Sequence, residues 1–345
     1  MISPIIDETT INRLRALING AGRIAITCHK SPDGDALGAS LALCHVLRRL
    51  GKNASVVTPD MPPKALEFVP GLRDIEVFTK HELRSRNILT EAQLIFCLDF
   101  NSMKRIDRLA ELVEPLKAPR VLIDHHLDPD DEFDVTISFP EASSTCELVF
   151  RTLMQMGLLR YMDRQAASCL YVGLLTDTGG FAFSCDQPSC FEAAAVLVKY
   201  NIEPAEIHNR IINTFSLDRM KFYGFALSQR MRVYPGKRVA LMAFSLDDQR
   251  RFGVGGEDME GLVNYTLMMK EIEVGALLRE EPGRTKVSLR AKYGVDVNRL
   301  AAQLGGGGHT KAAGATCLLP FDETLKAVEK LLGIENEEPI NLLPA

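Results

Sequence analysis

Thr27-Cys28-His29-Lys30-Ser31-Pro32-Asp33-Gly34-Asp35-Ala36 follows an apolar run, Ile24-Ala25-Ile26, and leads into a pattern with Leu37, Leu41, Cys44 and Leu47 at helical spacing. This predicts a buried strand over Arg23 to Thr27 and a helix over Ala36 to Leu50, with Gly51 as its C-cap. One imidazole and two carboxylates, His29, Asp33 and Asp35, therefore stand within seven residues at the end of a strand. Pro32 and Gly34 turn the chain sharply, so the three side chains can converge. Converging carboxylates repel each other, and a bound cation relieves the repulsion. The stretch reads as the first half of a metal site.

The same arrangement recurs downstream. Asn53 to Thr58 reads as a second strand, and Gln93 to Leu98 as a third that runs into Asp99. Val121-Leu122-Ile123 reads as a fourth and runs into Asp124-His125-His126. Helical patterns lie between them, including Met103 to Val113, and residues 7–20 carry Ile11, Leu14 and Ile18 on one helical face. Short apolar strands alternating with helices predict an α/β fold, a parallel sheet with helices on both faces. Three of the strands end at an acidic or imidazole side chain, and ligands bind at the carboxyl ends of such sheets. Further helices are expected over 144–158 and 163–175. The second runs into Thr176-Asp177-Thr178-Gly179-Gly180, which puts another carboxylate at a helix end. Pro188 to Tyr200 and Pro204 to Asn213 read as helices bridging two domains.

Near residue 216 the pattern changes. Arg230 to Tyr234 and Arg238 to Phe244 flank Pro235-Gly236, and Ile272 to Arg279 and Thr285 to Lys292 flank Glu281-Pro282-Gly283, which reads as two hairpins. Helices are expected over Asp258–Met268, Val295–Leu304 and Asp322–Leu332. This half is expected to be a smaller α+β domain on antiparallel strands, with a poorly ordered acidic tail from Glu335 to Ala345.

A chain of 345 residues accommodates two domains, and its 46% apolar and 25% charged residues are ordinary soluble-globular usage. The net charge of −5 gives no global attraction for nucleic acid, so any polyanion must be met by a local basic patch or by bound metal. No charged and then apolar leader is visible at Met1 to Thr10, and no apolar run approaches the roughly 20 residues of a membrane helix. The eight cysteines form no C-x-x-C pair and read as reduced core residues, which suits a cytoplasmic protein.

The chemistry is carried by His29, Asp33, Asp35, Asp99, Asp124, His125, His126 and Asp177. Oxygen and imidazole donors without thiolates suit Mn²⁺ or Mg²⁺, with Zn²⁺, Fe²⁺ and Co²⁺ open. The donors exceed what one ion needs, which fits two ions about 3.5–4 Å apart sharing a carboxylate. Taken alone, Asp99 would read as a helix N-cap and Asp177 as a turn residue; their recurrence at one architectural place favours ligands. The second feature is Gly305-Gly306-Gly307-Gly308-His309, followed by Lys311 and Ala312-Ala313-Gly314. Consecutive glycines suit backbone amides that approach an anion, or else a flexible loop; neither a P-loop nor a dinucleotide fingerprint is present. Ser288-Leu289-Arg290 puts Ser288 and Arg290 on one strand face, where Arg290 can meet a phosphate or carboxylate.

Together, His29-x-x-Pro32-Asp33-Gly34-Asp35, Asp99, Asp124-His125-His126 and Asp177 resemble the DHH phosphoesterase family, and Gly305–His309 with Ala312-Ala313-Gly314 resembles its companion DHHA1 domain. The resemblance implies two divalent ions, usually Mn²⁺, with Mg²⁺ or Co²⁺ as substitutes. It assigns one ion to His29, Asp33 and Asp99, and the other to Asp35, Asp99, His125 and Asp177. His126 would stand beside the scissile phosphate, with Asp124 orienting the histidines. Gly305, Gly306, Gly307, Gly308, His309 and Arg290 would grip the substrate's phosphate or terminal nucleotide. The implied domains are a catalytic DHH domain over 1–195, a helical linker over 196–215, a DHHA1 domain over 216–335 and a tail over 336–345, with the active site in the cleft between domains. Among the family's branches the chain is similar to the stand-alone nano-RNase type. That type degrades very short oligoribonucleotides, dephosphorylates 3′-phosphoadenosine 5′-phosphate, or hydrolyses linear and cyclic dinucleotides. The expectation is an enzyme of small nucleotide substrates with no long nucleic-acid track and no membrane partner, and a homodimer is open. A non-catalytic nucleotide receptor is the rival from another class.

Overall fold

In the computed structural model, which describes residues 3–292 and 294–342, helices and strands alternate through the first half as α1 (Glu8–Gly20), β1 (Arg23–Cys28), α2 (Gly34–Arg49), β2 (Asn53–Thr58), β3 (Glu76–Val77), α3 (Glu82–Glu91), β4 (Leu94–Leu98), α4 (Ala110–Val113), β5 (Arg120–Asp124) and β6 (Val135–Ser138). Then come the helices α5 (Thr145–Gln155), α6 (Arg164–Asp177), α7 (Pro188–Val198) and α8 (Pro204–Ile212). The strands form a six-stranded sheet in the order β3-β2-β1-β4-β5-β6, and every pairing in it is parallel. Side chains alternate between the two faces. Ile24, Ile26, Phe96, Leu98, Val121 and Ile123 join one core with α1, α2, α5 and α6. Ala25, Ile95, Cys97 and Leu122 join the other with α3 and α4. The predicted α/β layering is what the chain adopts.

The chain leaves β1 toward β2 and β3 on one side and returns to β4, β5 and β6 on the other. The carboxyl ends of β1 and β4 thus flank a topological switch point, where open α/β sheets bind ligands. β5 lies next to β4, so three neighbouring strands end at His29, Asp99 and Asp124.

The expected helix over Met103 to Val113 is instead a 3₁₀ stretch, Met103–Leu109, followed by α4. Asp107 breaks it with φ 52°, and the carbonyl of Arg105 turns back to accept from Lys30 N at 2.8 Å. α7 and α8 pack Cys190, Ala193, Leu197 and Ile207 into the core of the first compact unit, which extends to Thr214.

The second unit begins at Phe215. It contains α9 (Leu217–Phe225), β7 (Met231–Tyr234), β8 (Val239–Phe244), α10 (Leu246–Phe252), β9 (Val274–Glu281), β10 (Arg284–Ala291), α11 (Val297–Gln303), β11 (Gly307–Gly308), β12 (Ala312–Cys317), α12 (Phe321–Leu331) and β13 (Ile340–Asn341). Both expected hairpins form, β7–β8 and β9–β10. The seven-stranded sheet is mixed rather than wholly antiparallel, because β8 and β9 run parallel. The helix expected over Asp258–Met268 is replaced by two 3₁₀ turns, Glu257–Met259 and Leu262–Met268, separated by Gly261 at φ 79°. The tail also departs from expectation: Ile340 and Asn341 pair with Val233 and Arg232 on the open edge of β7. Leu343, Pro344 and Ala345 of that tail lie outside the described residues.

Candidate metal centre

Asp33 is the N-cap of α2. Its Oδ1 accepts from the amides of Asp35 and Ala36 at 3.0 and 3.1 Å, so the helix starts two residues earlier than its apolar pattern suggests. The cap leaves the Asp33 carboxylate beside His29, whose Nε2 lies 3.8 Å from Asp33 Oδ1 and 3.4 Å from Asp99 Oδ2. Asp99 follows β4 in the left-handed region at φ 63°, an uncommon conformation for a residue with a Cβ. Its Oδ1 lies 3.8 Å from His125 Nε2 and 3.9 Å from His126 Nδ1. Asp177, the last residue of α6, brings Oδ2 to 3.4 Å from His125 Nε2.

Asp35 is buried, and both its oxygens accept backbone amides from the start of α5: Thr145 N at 2.6 Å and Cys146 N at 2.9 Å. Close packing of α2 on α6 is what allows this convergence. A Cβ on Gly38 would meet Cys169 O at 2.5 Å, and one on Gly173 would meet Cys146 Sγ at 2.2 Å and Asp35 Oδ1 at 2.7 Å.

The donor atoms fall into three groups, each within 4.8 Å: His29, Asp33 and Asp99; Asp99, His125 and His126; and Asp35, His125 and Asp177. The ring orientations suit metal ligation. His29 Nδ1 donates to Lys30 O at 2.8 Å and His125 Nδ1 to Ala142 O at 3.3 Å; a carbonyl can only accept, so Nε2 of each ring, turned to the carboxylates, carries the lone pair when the ring is neutral.

The electrostatics favour added positive charge. Burial, reinforced by the neighbouring carboxylate of Asp99, pushes Asp35 and Asp177 well above the usual carboxylate range. Burial works to lower the pKa of His29, but the carboxylates of Asp33 and Asp99 beside its Nε2 outweigh it and push it up to about 10. Asp99 is held well below its ordinary value despite burial, by its hydrogen bond with His29 and the charge of the surrounding imidazoles. Asp124 Oδ2 is buried without a hydrogen-bond partner among the described residues. Four carboxylates and the imidazoles fit divalent ions of intermediate hardness.

In the second unit, β11, β12 and β10 lie side by side, so that Gly308 stands opposite Ala313 and Arg290 opposite Ala312. The glycine tract is part of this sheet rather than a free loop. A Cβ on Gly306 would meet Gly314 O at 2.1 Å, so the close backbone approach itself requires glycine there. His309 N donates to Ala312 O at 2.8 Å in the turn between β11 and β12, and His309 is exposed. Arg290 is partly buried, which lowers its pKa, and among the described residues it makes no ion pair.

Sequence reasoning passed over Thr145. Its hydroxyl donates to Asp99 Oδ1 at 2.8 Å, and Ser143-Ser144-Thr145 before a helical run was the available signal.

Residues 23–174 match the DHH family, N-terminal domain, and residues 237–333 match the DHHA1 domain. The bifunctional oligoribonuclease and PAP phosphatase NrnA of Thermus thermophilus is 30% identical, over 92% of this chain and 90% of that protein. The protein of the same name from Bacillus subtilis is 26% identical over 86% and 89%. The crystal structure of an exopolyphosphatase-related protein from Bacteroides fragilis superposes with a TM-score of 0.93 at 35% identity, over 96% of this chain and 98% of that one. With a DHH domain followed by a DHHA1 domain, the chain belongs to the DHH/DHHA1 phosphoesterase family and is a hydrolase of phosphoester bonds.

Proposed function

We propose that this enzyme removes mononucleotides from short oligoribonucleotides and dephosphorylates 3′-phosphoadenosine 5′-phosphate, using two divalent ions, Mn²⁺ foremost. The observation that carries the reading is Asp99, which two of the three donor groups share. His29, Asp33 and Asp99 would hold one ion, and Asp35, Asp99, His125 and Asp177 the other. When bound, such ions lower the pKa of water to make a nucleophile and stabilise charge on a phosphoryl group. The names of the Thermus and Bacillus relatives support the substrate class. The net charge of −5 agrees with a small substrate, since long strands need a basic track.

The chain's own side chains divide the remaining work. His126, held by Asp124 at 2.7 Å, would hydrogen-bond the phosphoryl group or its leaving oxygen. Arg290 and His309 would take the substrate's phosphate or terminal nucleotide beside the glycine tract, whose Gly305 and Gly306 amides already donate to Ala302 O and Ala301 O.

The test is a competition among labelled di- to pentaribonucleotides, 3′-phosphoadenosine 5′-phosphate, and linear and cyclic dinucleotides. Metal-stripped protein is assayed with Mn²⁺, Mg²⁺, Co²⁺ or no ion. Ion-dependent release of mononucleotides and phosphate is expected, and Asp99→Ala should lower it by about 10³-fold or more. Metal-independent turnover, or nucleotide binding without hydrolysis, would refute the reading.

A further inference from the structure

Thr145 has no exposed surface and sits at the first position of α5, where a hydroxyl has no capping duty left to perform. Ser144 is already the N-cap, its side chain accepting from Glu147 N at 3.1 Å. The Thr145 hydroxyl instead donates to Asp99 Oδ1 at 2.8 Å, and the amide of the same residue donates to Asp35 Oδ2 at 2.6 Å. One residue thus touches a carboxylate from each of two separate chain segments. We propose that Thr145 is a positioning residue that holds Asp99 in its bridging posture; the proposal rests on the two-ion reading above.

The geometry gives the reason. Asp99 Oδ2 faces His29 at 3.4 Å, while Oδ1 faces His125 at 3.8 Å. A bridge through both oxygens would keep them on opposite sides, whereas a carboxylate free to rotate can turn both toward one ion. An ionised carboxylate only accepts, so the hydroxyl must donate, and its hydrogen bond fixes which oxygen stays on the His125 side. Unlike the imidazoles around Asp99, the hydroxyl has no ligating role to perform and can serve orientation alone.

The helix that carries Thr145 is anchored. Glu147 accepts from Ser143 N and Oγ at 2.9 and 2.7 Å and from Arg151 Nη1 at 2.9 Å. Arg151 Nη2 donates to Ser3 O at 3.0 Å, and Gln155 Oε1 accepts from the amides of Ile5 and Ile6. The hydroxyl therefore reaches Asp99 from a fixed base, as a support for a preorganised site should.

The experiment titrates Mn²⁺ into metal-free protein by calorimetry and follows the electron paramagnetic resonance spectrum at full loading. Thr145→Val removes the hydroxyl and keeps the shape and the amide; Thr145→Ser restores the hydroxyl; Thr145→Ala replaces the valine variant if that one does not fold. The hydroxyl-less variant should bind the weaker Mn²⁺ about 10- to 100-fold less tightly and lose the spin-coupled signal of a bridged pair, with the serine variant close to wild type. A hydroxyl-less variant with wild-type affinities and an intact coupled signal overturns the proposal, as does an equal loss in the serine variant. Wild-type protein that takes up fewer than two ions fails the two-ion reading itself, and the proposal with it.

Discussion

Asp124 Oδ1 lies 2.7 Å from His126 Nδ1, and the carboxylate that makes this contact is entirely buried. A carboxylate in that position accepts a hydrogen bond from Nδ1–H and so fixes both tautomer and ring plane. Asp124→Asn keeps the shape and removes the charge. Turnover should fall about 10- to 100-fold while Mn²⁺ stoichiometry stays that of wild type. Steady-state kinetics beside a metal titration checks this; lost metal would make Asp124 a ligand rather than an orienter.

Gly173 faces Asp35 across the contact of α6 with α2. A methyl group there would lie 2.7 Å from Asp35 Oδ1 and 2.2 Å from Cys146 Sγ. Both neighbours are buried, so neither can give way. Gly173→Ala should lower stability by about 1–3 kcal/mol and weaken metal binding, whereas Gly51→Ala, in open space at φ +89°, should cost stability alone. Urea unfolding and Mn²⁺ titration separate the two effects.

The fold was legible wherever one local rule governed. Ile24, Phe96 and Val121 lie in short apolar runs, and the polar residues ending those runs mark the strand ends, so His29, Asp99 and Asp124 could be placed together before any coordinates. Thr145 was not legible, because its hydrogen bond to Asp99 spans 46 positions and depends on where α5 lands. The contact at Gly173 escaped for the same reason, since a helical glycine shows no partner in its own pattern. Two apolar stretches with helical spacing, at Asp107 and Gly261, are broken by single residues with positive φ. Periodicity cannot register that. Consecutive glycines suggest free backbone amides, but Gly305 and Gly306 donate back to Ala302 O and Ala301 O, and the close approach of Gly306 to Gly314 is what requires glycine there.

Arg290 and His309 belong to the second unit, whereas the carboxylates and imidazoles that would hold metal belong to the first. If they grip substrate equally in ground and transition states, Arg290→Ala and His309→Ala should raise KM and leave kcat nearly unchanged. The arginine change should be the larger, about 10-fold or more, because a partly buried guanidinium without an ion pair among the described residues is poised for an anion. Kinetics on a dinucleotide decides, and a fall in kcat at constant KM would contradict the assignment.

Glu147 yields a prediction about pH. Its side chain has no exposed surface, and burial alone would raise its pKa, but hydrogen bonds from Ser189, Ser143 and Arg151 outweigh burial and hold the carboxyl below its ordinary value of 4.5. A carboxyl whose folded-state pKa is depressed stabilises the fold fully above its unfolded pKa, and that contribution is lost as pH falls through the folded value. Glu147→Gln removes the charge and leaves the buried Arg151 guanidinium without its counter-ion. At about pH 7 the variant should be less stable by about 3 kcal/mol. As pH falls below the ordinary glutamate pKa and on through the lower folded-state value, the wild-type carboxyl takes up a proton and Arg151 loses its partner in both proteins, so the stability difference should shrink progressively. Urea unfolding of both proteins from about pH 7 to about pH 3 tests this. A stability difference that stays constant across the range would mean that the charge on Glu147 contributes nothing and that Ser143 and Arg151 act through hydrogen-bond geometry alone.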